Sequence, residues 1–232
     1  MPAPTPDPRT TLAARAFSLS GVLPLGVFLV VHIALNARAL PGELAFARAV
    51  GWTQRVPLLP IVEGVFVFLP LALHGVLGMR RVVARRALAA RAYPSALRAA
   101  MHATGVLVVA FLAMHLPELR FRVPGVRPDA GQLLTFLGED LSSMRAGLPW
   151  RGVLYLLGSA CATFHFVVGL WGWFTSTPLG KSERARRFAA WWAAAVGAIM
   201  WVLFVAVTVY HATGARILGG KEEVSPPSAP CP

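Results

Sequence analysis

The stretch GVLPLGVFLVVHIALN, residues 21–36, decides the structural class of this protein. It contains one ionisable side chain, His32, and the nearest basic residues on either side are Arg15 and Arg38. A helix needs about 20 apolar residues to cross the hydrocarbon core of a bilayer. The run from about Phe17 to Asn36 is therefore predicted to be a membrane-spanning helix.

Four later runs repeat this pattern, and the whole composition agrees with it. Of the 232 residues, 56% are hydrophobic and only 14% are charged, which is typical of a membrane protein and not of a soluble domain. The sequence predicts an all-α integral membrane protein with five transmembrane helices in a bundle over residues 15–216, flanked by disordered tails at 1–14 and 217–232. The four later spans are predicted at about Val56 to Met79, Ala99 to Leu116, Gly152 to Phe174 and Phe188 to Thr213.

The charges predict how the helices are oriented in the membrane. The chain has 22 Lys and Arg against 10 Asp and Glu, and these basic residues lie between the apolar runs. This arrangement indicates loops that contact lipid headgroups, and it argues against a nucleic-acid partner. The side of the membrane that holds the N-terminus carries 12 Lys and Arg, and the other side carries 10. We therefore predict a cytoplasmic N-terminus and a C-terminus outside.

All six histidines fall within or at the edge of a predicted span, where an ionisable residue usually marks function. Distances along the helices from the flanking charges place His32 and His115 near the outer ends of their helices. His74 is placed near an inner end, and His165 near the middle of the membrane. At about 1.5 Å of rise per residue, the natural partners are His32 with His115 and His74 with His165, where His165 leans inward only if the turn at Trp171 and Trp173 is near the surface.

Two pairs of imidazoles at two heights are what two stacked haems with two histidine ligands each require. Small residues beside two of the histidines would let a porphyrin approach the helices: Gly75, Gly78, Gly169 and Gly172. Pro70 is expected to kink the second span four residues before His74. Hydrogen bonds between helices, a proton relay and other metal binding remain alternatives for these histidines.

Four stretches carry a resemblance to a known family. The sequence resembles the single-chain, five-helix, di-haem cytochrome b subunit of succinate dehydrogenase and fumarate reductase. The resemblance covers about residues 15 to 213, and the loops match poorly. The four stretches are residues 21–36 with His32, residues 63–78 with Glu63 and His74, FLAMH at 111–115, and TFHFVVGLW at 163–171.

The resemblance implies the ligands, cofactors and partners. His74 and His165 would bind the iron of the haem near the soluble subunits, and His32 and His115 would bind the iron of the distal haem. The cofactors would be two haem b groups, with menaquinone or another quinone as electron acceptor. A flavoprotein and an iron–sulfur subunit would dock on the cytoplasmic face of a bacterial inner membrane, and this chain would hold no succinate-binding residue.

Other polar residues are weaker candidates. Glu63 is the best candidate on the quinone side, although a carboxylate that hydrogen-bonds between helices is an equal alternative. His211 is a candidate for a proton path or a polar tether, and His102 for a propionate contact or an interfacial histidine. Phe17 stands where some relatives have histidine, which leaves the polar contacts at the inner end open.

Two other functions remain. The first is a di-haem cytochrome b of another respiratory complex, of the formate dehydrogenase or hydrogenase type. Such subunits place two ligands on one helix, which only His102 and His115 could imitate here. The second is a haem-free transporter or scaffold, although the sequence contains no inverted repeat or pair of broken helices that would support transport.

Overall fold

The computed structural model describes residues 16–83, 95–121 and 130–218. Within these ranges five helices are long and apolar enough to cross a membrane, which confirms the predicted class and number of spans. The predicted tail 1–14 lies outside the described residues, as do positions 219–232 of the second tail and most of the arginine-rich segment after the second span. The spanning helices are α1 (Ala16–Ala39), α3 (Leu59–Val83), α4 (Ser95–Leu119), α6 (Trp150–Ser176) and α7 (Glu183–Thr213).

Most of these helices extend further than predicted, because basic residues continue their terminal turns. In α7 the hydroxyl of Ser182 accepts a hydrogen bond from the backbone N–H of Ala185 and caps the helix. Glu183 in the first turn then pairs with Arg186 and Arg187 at 3.1 and 3.0 Å. The span therefore begins five residues before the predicted Phe188. Its other end is closed by Gly214, which adopts the left-handed conformation at φ 72°.

The helices α1 and α3 each contain one widened π turn. These turns cover Gly21–Leu25, with Pro24 inside, and Gly64–Phe68, which ends just before Pro70. Proline has no N–H to donate, so a wider turn re-forms the hydrogen-bond ladder around it. A π turn therefore precedes Pro70, the position where the sequence predicted a kink, and α1 carries a second π turn that the sequence did not indicate.

Two shorter helices lie between spans, α2 (Glu43–Gln54) and α5 (Ala130–Leu141). The connection between the third and fourth spans contains α5, which buries one face and leaves Gln132, Thr135 and Glu139 exposed. Leu137 and Leu141 are 5% and 2% exposed, because α5 packs against α2, α6 and α7. The helix α2, which contains Glu43 and Arg48, was not predicted.

The spanning helices pack as a ring of four with one helix behind it. Neighbouring contacts join α1 to α3, α3 to α4, α4 to α6 and α6 back to α1, while α7 packs against α6 and α1. Gly158 of α6 allows close contact with Phe111 of α4, and Gly197 of α7 does the same for Val167 of α6. The ring helices are the four that carry His32, His74, His115 and His165.

Candidate functional site

A cavity of about 630 Å³ runs along the inside of the ring. All six histidines line it, and most of its other lining side chains are aliphatic or aromatic. Among the described lining residues, three carry a full charge: Arg81 at one end, and Glu63 and Arg120 at the other. We call these the Arg81 end and the Arg120 end of the bundle.

His74 and His165 come together on the Arg81 side of the cavity. Their ring centres are 6.3 Å apart, and their planes are at 87°. The Nδ1 atom of His165 lies 3.2 Å from the carbonyl oxygen of Met101. A carbonyl oxygen can only accept, so the proton of His165 is on Nδ1 and Nε2 keeps its lone pair.

The same tautomer follows for His74. The hydroxyl of Ser20 donates its one proton to the carbonyl oxygen of Phe17 at 2.8 Å. The Ser20 oxygen can therefore only accept in its 3.3 Å contact with His74 Nδ1. Both rings of this pair thus have a free Nε2 lone pair, which is the state that a metal requires of imidazole.

His32 and His115 form the second pair, nearer the Arg120 end. Their ring centres are 6.0 Å apart, and their planes are at 86°. Phe111 stacks on His115 at 5.2 Å, and Tyr155 packs edge-on against it at 5.6 Å. The His115 Nδ1 atom is buried and has no hydrogen-bond partner in the part of the chain that the structure describes.

The second pair is held less firmly than the first. The side-chain amide of Asn36 donates to the carbonyl oxygen of His32 at 2.8 Å, and the same nitrogen lies 3.5 Å from His32 Nε2. A separation of 3.5 Å is the outer limit of a hydrogen bond, so this contact competes only weakly for the Nε2 lone pair.

The two pairs lie at two distinct levels of the bundle. On α1 the residue beside His74 is Gly21, eleven positions before His32. On α4 the residue beside His165 is Gly105, ten positions before His115. At about 1.5 Å of rise per residue the levels are about 15 Å apart, roughly half the hydrocarbon thickness of a bilayer.

Glycines make room for the His74/His165 pair. A Cβ atom added at Gly21 would lie 2.5 Å from Cε1 of His74, and one added at Gly105 would lie 3.1 Å from Cε1 of His165. Gly75 lines the cavity, and a Cβ there would meet nothing within 4 Å. The sequence predicted Gly75 as a residue that makes room for a porphyrin. The glycines that lie against the imidazoles are Gly21 and Gly105, which belong to neighbouring helices and could not be recognised from the sequence.

At the Arg120 end, Glu63 of α3 pairs with Arg120, which directly follows α4, at 2.7 Å. The guanidinium of Arg120 lies 5.9 and 5.7 Å from the ring centres of Phe68 and Phe121. Glu63 therefore has the interhelical contact that was the alternative to a quinone role. It also lines the cavity, so the contact does not remove it from the site.

A second polar cluster, which the sequence did not predict, lies beside His115. Arg151 at the start of α6 contacts Glu118 of α4 and pairs with Asp140 of α5 at 3.0 Å. The hydroxyl of Tyr155 and one oxygen of each carboxylate are buried without a partner among the described residues. Charge spacing along the sequence gives no signal for this cluster, because its members come from three helices.

The last two histidines lie in the cavity wall but outside the pairs. His211 is 8% exposed, and its Nε2 has no hydrogen-bond partner within the described ranges. His102 lines the cavity one position after Met101, whose carbonyl holds His165. Within the described residues, neither makes a ring contact with a member of the two pairs.

A comparison with known proteins found similarity to a succinate dehydrogenase subunit. The succinate dehydrogenase cytochrome b558 subunit of Bacillus subtilis (strain 168) is 26% identical over 196 residues, which are 84% of this chain and 90% of that protein. The predicted resemblance to the succinate dehydrogenase cytochrome b family is thereby confirmed. No protein-family model matches the chain, and no solved structure matches it.

Haem b is the group that a cytochrome b implies, and the four paired histidines fit it. A metal–imidazole bond is about 2 Å long, so two imidazoles on opposite sides of one iron have ring centres about 6 Å apart. The observed separations are 6.0 and 6.3 Å. The described residues contain no group of three or more His, Cys, Asp or Glu side chains that could hold a metal ion.

Proposed function

We propose that this chain is the membrane-anchor cytochrome b subunit of a succinate:quinone oxidoreductase. In this proposal His74 with His165, and His32 with His115, each hold one haem b, and the acceptor is a quinone of the menaquinone type. The observation that carries the proposal is the pair of perpendicular imidazole contacts at two levels of one cavity. The similarity to a succinate dehydrogenase subunit supports the choice of complex over a formate dehydrogenase or hydrogenase.

The residues of the chain would each have a defined task. Bound haem supplies one-electron transfer at each level. Met101 and Ser20 hold the Nδ1 protons of His165 and His74, so that Nε2 of each ring would be free to bind the haem iron. The apolar lining excludes water from both levels, and the two levels together would carry electrons across about half of the bilayer.

The proposal also covers the partner subunits, the quinone site and the orientation of the chain in the membrane. A flavoprotein and an iron–sulfur subunit would bind at the Arg81 end, on the cytoplasmic side of a bacterial inner membrane. The quinone would bind at the Arg120 end, where Glu63 and Arg120 face the cavity beside two phenylalanine rings. The N-terminus would be cytoplasmic and the C-terminus outside.

Cofactor content tests the proposal directly. The full chain, expressed in a membrane and purified in mild detergent, is expected to contain two b-type haems. The complex that co-purifies with it is expected to contain flavin and iron–sulfur clusters and to reduce both haems with succinate. Haem-free protein, or one haem per chain in fully loaded material, would contradict it.

The role of Glu63 gives a second prediction. Glu63→Gln removes the carboxylate but keeps a group that can hydrogen-bond to Arg120. We expect succinate-dependent quinone reduction to fall by at least about tenfold, because the carboxylate no longer transfers a proton. Haem content and succinate-dependent reduction of a soluble dye are expected to stay unchanged.

The matched control is Glu43→Gln at the start of α2. Glu43 is an exposed carboxylate that is not among the cavity-lining residues, and its replacement should leave quinone reduction intact. Full activity of Glu63→Gln would show that Glu63 serves only as an interhelical tie.

A further inference from the structure

The ring of Phe17 covers one face of His74. The two rings are stacked with their centres 4.4 Å apart and their planes at 7°. Phe17 is 8% exposed, so this is a buried contact at the start of α1. Gly78 lies beside the Phe17 ring, and a Cβ at that position would make an ordinary van der Waals contact with the ring at 3.6 Å.

Arg81 covers the other face of Phe17. Its guanidinium carbon lies 3.8 Å from the centre of the Phe17 ring, within the range of a cation–π contact. The stacked imidazole and the guanidinium are both so close to one ring centre that they must occupy opposite faces. The order through space is therefore Arg81, Phe17, His74.

The charge of Arg81 is not balanced by the other described residues of the cavity wall. Glu63 is the one carboxylate among them, and it pairs with Arg120 at the opposite end. Arg81 is partly buried, and a partly buried charge is screened less by water and salt than a fully exposed one. The charge of Arg81 is thus directed at the His74/His165 level through a single aromatic ring.

We propose that Phe17 and Arg81 are positioning residues for His74. Together with Ser20, Phe17 fixes the plane of the imidazole, and the guanidinium charge favours the reduced state of the iron that His74 would bind. This inference rests on the proposed function, because it requires haem at that level. The proposed effect is confined to the His74/His165 level, and the His32/His115 level is expected to be unaffected.

A redox titration of the purified complex, followed in the visible spectrum, tests the charge. Arg81→Met is expected to lower the midpoint potential of one haem and leave the other unchanged. Arg81→Lys keeps the charge and should return the potential toward that of the unmodified protein. Arg80→Met is the matched control, since Arg80 is the exposed neighbour with the same charge, and it should shift neither haem.

Electron paramagnetic resonance of the oxidised protein tests the stack. The low-spin ferric signal depends on the angle between the two imidazole planes, so Phe17→Leu should move the signal of the same haem. Phe17→Tyr keeps the ring and should not. The haem that His74→Ala removes identifies which spectral component is concerned.

The outcomes separate this inference from the proposed function. If two haems are present and Arg81→Met shifts neither potential, or shifts both equally, the inference is wrong while the function stands. The inference is also wrong if Arg80→Met shifts the midpoint potential as much as Arg81→Met does. It is wrong as well if Phe17→Leu leaves the electron paramagnetic resonance signal unchanged. If Arg81→Met loses the haem of the His74 level and Arg81→Lys retains it, the positioning role is supported. Protein without haem would overturn both.

Discussion

Purified His74→Ala protein is expected to contain one haem per chain in place of two, and so is His115→Ala. Each substitution removes one of the two nitrogens that a pair offers to an iron. The remaining imidazole alone cannot complete the coordination by a pair whose ring centres are 6.0 or 6.3 Å apart. The measurement is haem per chain, with the reduced spectrum recorded for each variant.

The pairing itself can be tested with the two remaining partners. His165→Ala is expected to lose the same spectral component as His74→Ala, and His32→Ala the same component as His115→Ala. His211→Ala is the control, because His211 lies in the cavity wall outside both pairs and its loss should leave two haems. Normal haem content in both His74→Ala and His115→Ala would refute the ligand assignment. Loss of the same spectral component in His74→Ala and in His115→Ala would refute the pairing.

Gly21→Ala is expected to weaken haem binding at the His74/His165 level without changing any ligand. The new methyl group would lie 2.5 Å from Cε1 of His74, so the imidazole would have to turn away from His165. Displacing a group that orients a ligand typically lowers metal affinity by about 10- to 100-fold. Haem occupancy of that level should therefore fall while the other level stays full.

Gly64→Ala is the matched control for this change. Gly64, like Gly21, begins a π turn in a spanning helix, but a Cβ there would meet nothing within 4 Å. It tests whether the effect of Gly21→Ala comes from the helix or from the contact with His74. Equal haem loss in both variants would mean that the π turns, and not the imidazole contact, need glycine.

The pairing of the histidines by height was predictable because the rise of a helix is constant. Counting residues from the flanking arginines was enough to place His32 level with His115, and the structure brings these two rings into contact. The count was less decisive for His165, which lies near the middle of α6. There the assignment depended on the family resemblance, and the structure places the ring beside His74.

Contacts that depend on helix rotation were not predictable in the same way. Glu63 was recognised as a polar residue at the right depth, but its pairing with Arg120 was not foreseen. The arrangement of Arg81, Phe17 and His74 was missed for the same reason, since the sequence left the contacts of Phe17 open. The two partners in each of these contacts are more than 50 positions apart in the sequence.

The sequence by itself determined the membrane class, the five spans and the heights of His32, His74 and His115. Length, apolar composition and flanking charge are properties of one segment at a time, and these properties fix depth. Only the tertiary structure decided which glycine faces which imidazole, which nitrogen is free, and that one face of α5 is buried against its neighbours. In a spanning helix nearly every face is apolar, so the sequence carries little signal for its rotation, and packing against the neighbouring helices sets it.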